Sequence, residues 1–235
     1  MGCAVLEAVS RRQNLDLVRV LGHVSRTKRE QRLSFATANE TRTLVLEPLT
    51  PEALEAVDVL LDFSSEPGLM EAARICRNTH TALVSGSTPL GPAAERVLDD
   101  LASEVAVCYA SNFSRGLAAL LSVIPELRDR LGPRFEAGVI DVHHRHKKDS
   151  PSGTARTLEA AWSRPSGHST SVVSLRIGET TGDHALWIDG GGERIEIWHR
   201  ALDRRIFAEG ALDAVLWIVG KKPGRYGVAE LWSSP

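Results

Sequence analysis

Hydrophobic positions repeat along the chain with two different periods, and the change between them falls near its middle. Ala4 to Val9 reads as one or two turns of helix, and Leu15 to Val24 (LDLVRVLGHV) as a strand that stops before polar Ser25-Arg26-Thr27. Val45 to Leu49 is apolar, and Pro51 opens a short helix through Val57 that runs into the buried-strand pattern VDVLLDF, Val57 to Phe63. Ser64-Ser65-Glu66-Pro67 is a helix start. A helix from Pro67 to Arg77, a strand Ala82 to Ser85, a helix Pro92 to Ser103 and a strand Val105 to Tyr109 complete the alternation. It predicts a parallel sheet covered by helices.

After Phe113 the pattern changes. A helix from Leu117 to Leu131, interrupted at Pro125, leads to a strand from Phe135 to His144, and a further helix follows Ser152. From Ser171 onward, SVVSLRI, HALWIDG and ERIEIWHR alternate apolar and polar positions between Gly-rich turns, as an antiparallel sheet with one covered face requires. That sheet is expected to form a second domain. Ile206 to Gly220 is helical in period and apolar enough to pack back on the first domain, and Lys221-Lys222-Pro223-Gly224 stops it.

Composition narrows the function classes. With 235 residues, 43% hydrophobic and 25% charged, the chain can bury a real core, which excludes a disordered or disulfide-stapled protein. The 28 basic and 30 acidic side chains nearly cancel, so there is no global field for a polyanion, and nucleic acid is not an expected partner. Cys3, Cys76 and Cys108 have no C-x-x-C spacing and read as reduced core thiols of a cytoplasmic protein. No apolar run approaches the roughly 18 residues of a bilayer span, and the start lacks an export leader, so no membrane is expected. Met1-Gly2-Cys3 suggests a myristoyl acceptor, but Leu6 stands where that motif needs Ser or Thr.

The chemistry concentrates in Asp141-Val-His143-His144-Arg145-His146-Lys147-Lys148-Asp149-Ser150-Pro151-Ser152-Gly153-Thr154. In an extended segment His143, Arg145 and Lys147 share one face, while His144, His146 and Lys148 share the other. Ser-Pro-Ser-Gly-Thr then opens a helix whose first N–H groups and glycine allow an anion to approach. Two plainer readings stand beside an anion pocket. A charge run is commonly a solvated strand end, although crowded cations disfavour one another's charged forms unless an anion relieves them. A metal held by His143, His144 and His146 is opposed by the adjacent Arg and Lys, so no metal is expected.

The run His143 to Ala155 (HHRHKKDSPSGTA) resembles the signature of the 4-hydroxy-tetrahydrodipicolinate reductase family, also called dihydrodipicolinate reductases, of bacterial lysine and diaminopimelate synthesis. Asp62-Phe63-Ser64, Gly86-Ser87-Thr88, Ala110 to Ser114, Arg176, Gly182-Asp183-His184, Gly192-Glu193, His199 through Phe207 and Gly210-Ala211 follow in the family's order. The resemblance implies an α/β fold: a Rossmann-like parallel-sheet domain, residues 1–113 with 205–235, and a smaller α+β domain, 114–204, with a mostly antiparallel sheet. It implies His143 as acid/base, Lys147 as proton donor, and His144, Ser152, Gly153 and Thr154 as holders of a small dicarboxylate. It places a nicotinamide cofactor against Met1, Gly2, Gly86, Ser87, Thr88, Ala110, Ser111, Asn112 and Phe113, with Arg204 and Phe207 reaching it. Those loops follow strand C-termini, where open α/β sheets bind ligands. Ser25 and Arg26, in the turn that meets the adenosine ribose, favour NADPH over NADH, unless Arg26 belongs to a solvated basic loop with Lys28, Arg29 and Arg32. The resemblance also implies a homotetramer built on the second domain's sheet.

Three departures stand out. Met1-Gly2 aligns with the end of the family's Gly-rich phosphate loop, so the preceding strand and most of that loop are expected upstream of an internal start or lost in a short paralogue. The family's Gly-Thr-Thr-Gly becomes Gly86-Ser87-Thr88-Pro89, and Arg164 to Ser171 is compressed. The expected function is therefore reduction of 4-hydroxy-tetrahydrodipicolinate. The alternatives are a related imine reductase of secondary metabolism and a non-catalytic paralogue serving as a binding subunit.

Overall fold

A computed structural model describes residues 1–22, 32–36, 41–163 and 170–233, so Ser25, Arg26 and most of the compressed segment (164–169) lie outside the described residues. The chain divides into two compact units, Met1–Ala110 with Phe207–Leu231, and Ser111–Ile206 with the chain from Trp232.

The first unit opens with α1 (Gly2–Val9) and β1 (Val20–Leu21), followed by β2 (Arg32–Ala36) and β3 (Thr41–Glu47). Of the strand expected over 15–24, residues 15–19 are not strand and Val20–Leu21 form β1, which pairs with β3, while His23 and Val24 lie outside the described residues. The antiparallel pairing of β2 with β3 was not expected, since the basic loop and Val45–Leu49 carried no clear hairpin signal. A single 3-10 turn, Glu52–Leu54, replaces the expected helix from Pro51 to Val57.

The alternating part forms as its pattern predicts: β4 (Val59–Asp62), α2 (Glu66–Thr79), β5 (Ala82–Ser85), α3 (Pro92–Ala102) and β6 (Ala106–Tyr109). Ser65 caps α2 by accepting the Gly68 N–H, and Leu69, Ala72, Ala73 and Cys76 give it one buried face. On α3, Ala94, Leu98 and Leu101 do the same. These faces meet Leu83 and Val107 of the sheet in one core.

In the second unit, α4 (Arg115–Leu131) runs through Pro125 without a break. Pro125 removes one N–H, but Leu117, Leu120, Leu121, Ile124, Leu127 and Leu131 on both sides of it pack into the same core, and that packing outweighs the local loss. Next come β7 (Glu136–His143), α5 (Gly153–Trp162), β8 (Ser171–Arg176), β9 (Asp183–Asp189) and β10 (Arg194–Arg200). Their order is β10-β9-β7-β8, antiparallel except that β8 runs parallel to β7, the α5 crossover making that direction available.

The chain then forms α6 (Arg205–Ile218), β11 (Gly224–Tyr226) and α7 (Val228–Leu231). Gly224 ends no structure: it begins β11, which extends the parallel sheet to the order β11-β6-β5-β4. Ala208 and Leu212 of α6 pack with Ala8 and Val9 of α1, and Arg12 joins Glu209 and Asp213 at 2.7 and 2.8 Å. The result is a Rossmann-like parallel-sheet unit and a second unit with a mostly antiparallel sheet. Cys76 and Cys108 are core thiols, pushed up to about 12 by burial first, but Cys3 is exposed. Among the described residues no helix is long and apolar enough to cross a membrane.

Candidate active site

The second unit's sheet changes character along its strands. One cross-strand row on the helix-covered face is apolar, Val172, Val139, Leu186 and Ile197. The next row on that face is polar, Ser174, Asp141, His184 and His199, and beyond it His143 pairs in register with Arg176. Asp141 and His184 are almost fully buried and His143 nearly so. A buried polar row is tolerable only when its members find partners, and each member of this row makes at least one hydrogen bond, while Asp141 Oδ1 and the Nδ1 atoms of His143, His184 and His199 have no aligned partner.

Asp141 is the hub. Its Oδ2 accepts the Ser152 N–H at 3.0 Å, the Ser174 hydroxyl at 2.9 Å and Arg176 Nη2 at 3.0 Å. Its Oδ1 faces imidazoles instead, with His143 Nδ1 at 2.8 Å and His184 Nε2 at 3.5 Å. The His143 contact is close but not collinear, since neither Oδ1 nor Nδ1 has an aligned hydrogen-bond partner. Burial alone would raise the Asp141 carboxyl, but His143, the Ser152 N–H and Arg176 together hold it far below the usual carboxylate range. His184 is pushed down to about 3, mostly by burial and then by the neighbouring charge of His143. His199 is lowered by burial, and His144 by burial and then by Arg204, His143, Lys147 and His146.

Both helix starts in this unit rest on the polar row. Ser152, the N-cap of α5, accepts the Ala155 N–H and bonds His184 Nε2 at 3.2 Å. Ser114, the N-cap of α4, accepts the Leu117 N–H and bonds His199 Nε2 at 2.9 Å. With Ser152 N on Asp141 and Ala155 N on its cap, the first N–H groups left to α5 are those of Gly153 and Thr154. A helix start beside cations binds anions. Asn112 fixes Thr154 by donating Nδ2–H to its Oγ1 at 3.0 Å, while its own Oδ1 accepts the Ser114 N–H at 2.8 Å. A Cβ on Gly153 would come 2.8 Å from Ser111 Cβ, so glycine is needed there for close packing as well as for access.

The expected alternation of faces beyond His143 does not occur. β7 ends at His143, and 144–147 turn back, with the His144 and Arg145 N–H groups bonded to the Thr180 and Gly178 carbonyls and the Lys147 N–H to the His144 carbonyl. The expected crowding of cations is also partly neutralised: Lys147 Nζ lies 2.8 Å from Asp149 Oδ1 and Arg145 Nε 3.8 Å from Glu179 Oε1. Arg204 is exposed.

In the first unit, Gly86, Ser87 and Thr88 follow β5, and Ala110 follows β6. The Ser87 hydroxyl is donated to Asp62 Oδ2 at 2.7 Å, beside that of Ser85, and the Gly86 position has no room for a Cβ beside the Phe63 ring. Ala110 and Phe113 are buried, Phe207 half-buried. Met1 caps α1 without a side-chain hydrogen bond, and a Cβ on Gly2 would meet open space. An uncapped helix start and backbone loops after two parallel strands fit a nucleotide cofactor. Asp141, His143 and His184 offer three ligand atoms within 4.8 Å of one another, but the Arg176 guanidinium on the same carboxylate opposes a dication.

Sequence reasoning singled out His143, His144, Lys147, Ser152, Gly153 and Thr154, which the structure brings to the β7–α5 junction. It gave no role to Asp141, Arg176, His184 or His199. The register of β7 with β9 and β10 is what brings His184 and His199 to the face of Asp141 and His143.

Family models describing the N-terminus and C-terminus of dihydrodipicolinate reductase match residues 1–113 and 116–231. The chain is 42% identical to the 4-hydroxy-tetrahydrodipicolinate reductase of Xanthomonas euvesicatoria over 176 residues, 75% of this chain and 73% of that one. It is 36% identical to the enzyme of that name from Alkalilimnicola ehrlichii over 199 residues, 76% and 74% of the two chains. Among solved structures, dipicolinate-bound dihydrodipicolinate reductase from Paenisporosarcina sp. TG-14 superposes with a TM-score of 0.70 at 20% identity, covering 97% of this chain and 94% of that one, which supports the fold. By two family models and these identities, the chain belongs to the dihydrodipicolinate reductase family.

Proposed function

We propose that the protein reduces 4-hydroxy-tetrahydrodipicolinate to tetrahydrodipicolinate with a nicotinamide cofactor, in lysine and diaminopimelate biosynthesis. The observation that carries this is the 42% identity to a reductase of that name in a chain that keeps the anion-ready start of α5 beside His143, His144 and Lys147. Neither a different cyclic-imine substrate nor a non-catalytic role draws comparable support.

The Gly153 and Thr154 N–H groups and His144 hold the substrate's carboxylates, with Asn112 keeping Thr154 in place. The substrate's 4-hydroxyl leaves as water together with a proton from the neighbouring ring carbon, and the bound cofactor supplies a hydride to the C=C–C=N system that this leaves. Lys147, held by Asp149, delivers the proton that balances it, moving from Nζ to the substrate atom that gains the electron pair, and His143 serves as acid/base. Met1, Gly2, Gly86, Ser87, Thr88, Ala110, Ser111, Asn112, Phe113, Arg204 and Phe207 hold the cofactor. Ser87 does so through its backbone, since its hydroxyl is engaged. NADPH is preferred over NADH because Arg26 suits a 2′-phosphate. The protein works in the cytoplasm as a homotetramer. Val173 and Leu175 on β8 and Ile177 just after it are exposed apolar side chains, and Trp198, on β10 at the other edge of the sheet, is exposed on the same face, which is the surface such an assembly would cover.

The test is turnover: NADPH oxidation on addition of 4-hydroxy-tetrahydrodipicolinate, with NADPH and NADH titrated in parallel. Turnover with at least tenfold tighter NADPH binding is expected. Cofactor and dipicolinate binding without turnover would overturn the reductase assignment, and equal affinities would overturn the Arg26 reading.

A further inference from the structure

Resting on that reductase reading, we propose that Asp141 is a positioning residue: one buried carboxylate fixes the His143 ring with Nε2 toward the space Gly182 leaves free, and clamps the start of α5 beside it. The two carboxylate oxygens divide the work. Oδ2 is saturated by Ser152 N, Ser174 Oγ and Arg176 Nη2, three donors from three separate segments. These pin the carboxylate, and Arg176 is itself held by the Asp149 carbonyl at 2.6 Å, next to the turn that carries Lys147. Oδ1 is left to the imidazoles. A neutral His184 that accepts the Ser152 hydroxyl at Nε2 has no proton there to give Oδ1, so His143 Nδ1, 2.8 Å away in a contact that is close but not collinear, is the remaining donor.

Gly182 completes the device from the far side. A Cβ there would lie 2.9 Å from His143 Nε2, so only glycine lets the ring occupy this position. The carboxylate that orients the imidazole also holds the Ser152 N–H, and so ties the acid/base candidate to the anion-binding helix start within one rigid knot. Orientation of an imidazole by a buried carboxylate sets its tautomer and stabilises its protonated form.

The first test needs no variant. Two-bond ¹⁵N–¹H correlation spectra of the wild-type protein, recorded at alkaline pH and with His143 assigned by its loss in His143→Gln, are expected to show the Nδ1–H tautomer. The Nε2–H tautomer would overturn the proposal, whether or not the protein turns over this substrate. The second test is kinetic. Asp141→Asn is expected to lower kcat roughly a hundredfold with substrate KM within about threefold. Asp141→Asn/His143→Gln should be no slower than His143→Gln alone, whereas additive losses would overturn it.

If Asp141→Asn does not fold, the wild-type tautomer decides. If the wild type shows no turnover, the reductase assignment fails while the tautomer still decides this one.

Discussion

Asp62 closes β4 in the first unit and Asp141 lies near the end of β7 in the second, and both carboxylates are buried. Asp62 is surrounded by neutral donors: Ser64 N–H and hydroxyl on Oδ1, and the Ser85 and Ser87 hydroxyls on Oδ2. Asp141 gathers one guanidinium and two imidazoles besides its serines. The first arrangement shapes a backbone loop and leaves the charge on the aspartate alone. The second places that charge within reach of groups that gain and lose protons. On the proposed function, the difference separates a carboxylate that shapes a loop for the cofactor from one that positions the acid/base residue.

Stability gives the largest contrast. Asp141→Ala leaves the half-buried Arg176 guanidinium without its carboxylate and should cost about 3–5 kcal/mol, whereas Asp62→Ala frees three hydroxyls and the Ser64 N–H, all neutral donors, and should cost about 1–3 kcal/mol, both read by urea unfolding. The reverse order would break the comparison.

Acid comes next. His184 is held down to about 3 in the folded protein, so below its ordinary value near 6.5 the unfolded chain takes up a proton the folded one refuses. Stability should fall as pH drops from 7.5 to 5, by on the order of 2 kcal/mol from this residue. His184→Gln should flatten that slope and Asp62→Asn should leave it. Smaller still, Gly182→Ala should displace the His143 ring and lower kcat about tenfold while costing only about 1 kcal/mol of stability.

Much of this was readable in the sequence. The strands β4, β5 and β6 and the helices between them follow from solid apolar runs bounded by Ser, Pro and Gly, because short local signals decide parallel α/β units. The start of α5 was visible in Ser152-Gly153-Thr154 for the same reason. What stayed hidden depends on register. His184 and His199 join the site only because β9 and β10 pair so that both stand in the row of Asp141, and no local pattern encodes that pairing. The β2–β3 hairpin was missed because Thr41–Glu47 mixes polar and apolar residues without a turn signature before it, and Cys3 was placed in the core because thiols usually are.

The most direct check compares steady-state kinetics of Asp62→Asn and Asp141→Asn at conditions where both are folded. A split is expected: Asp62→Asn raises the cofactor KM severalfold with kcat changed less than about threefold, and Asp141→Asn lowers kcat roughly a hundredfold with the cofactor KM retained. Equal effects of both variants on kcat and on KM would contradict the division of labour between the two carboxylates.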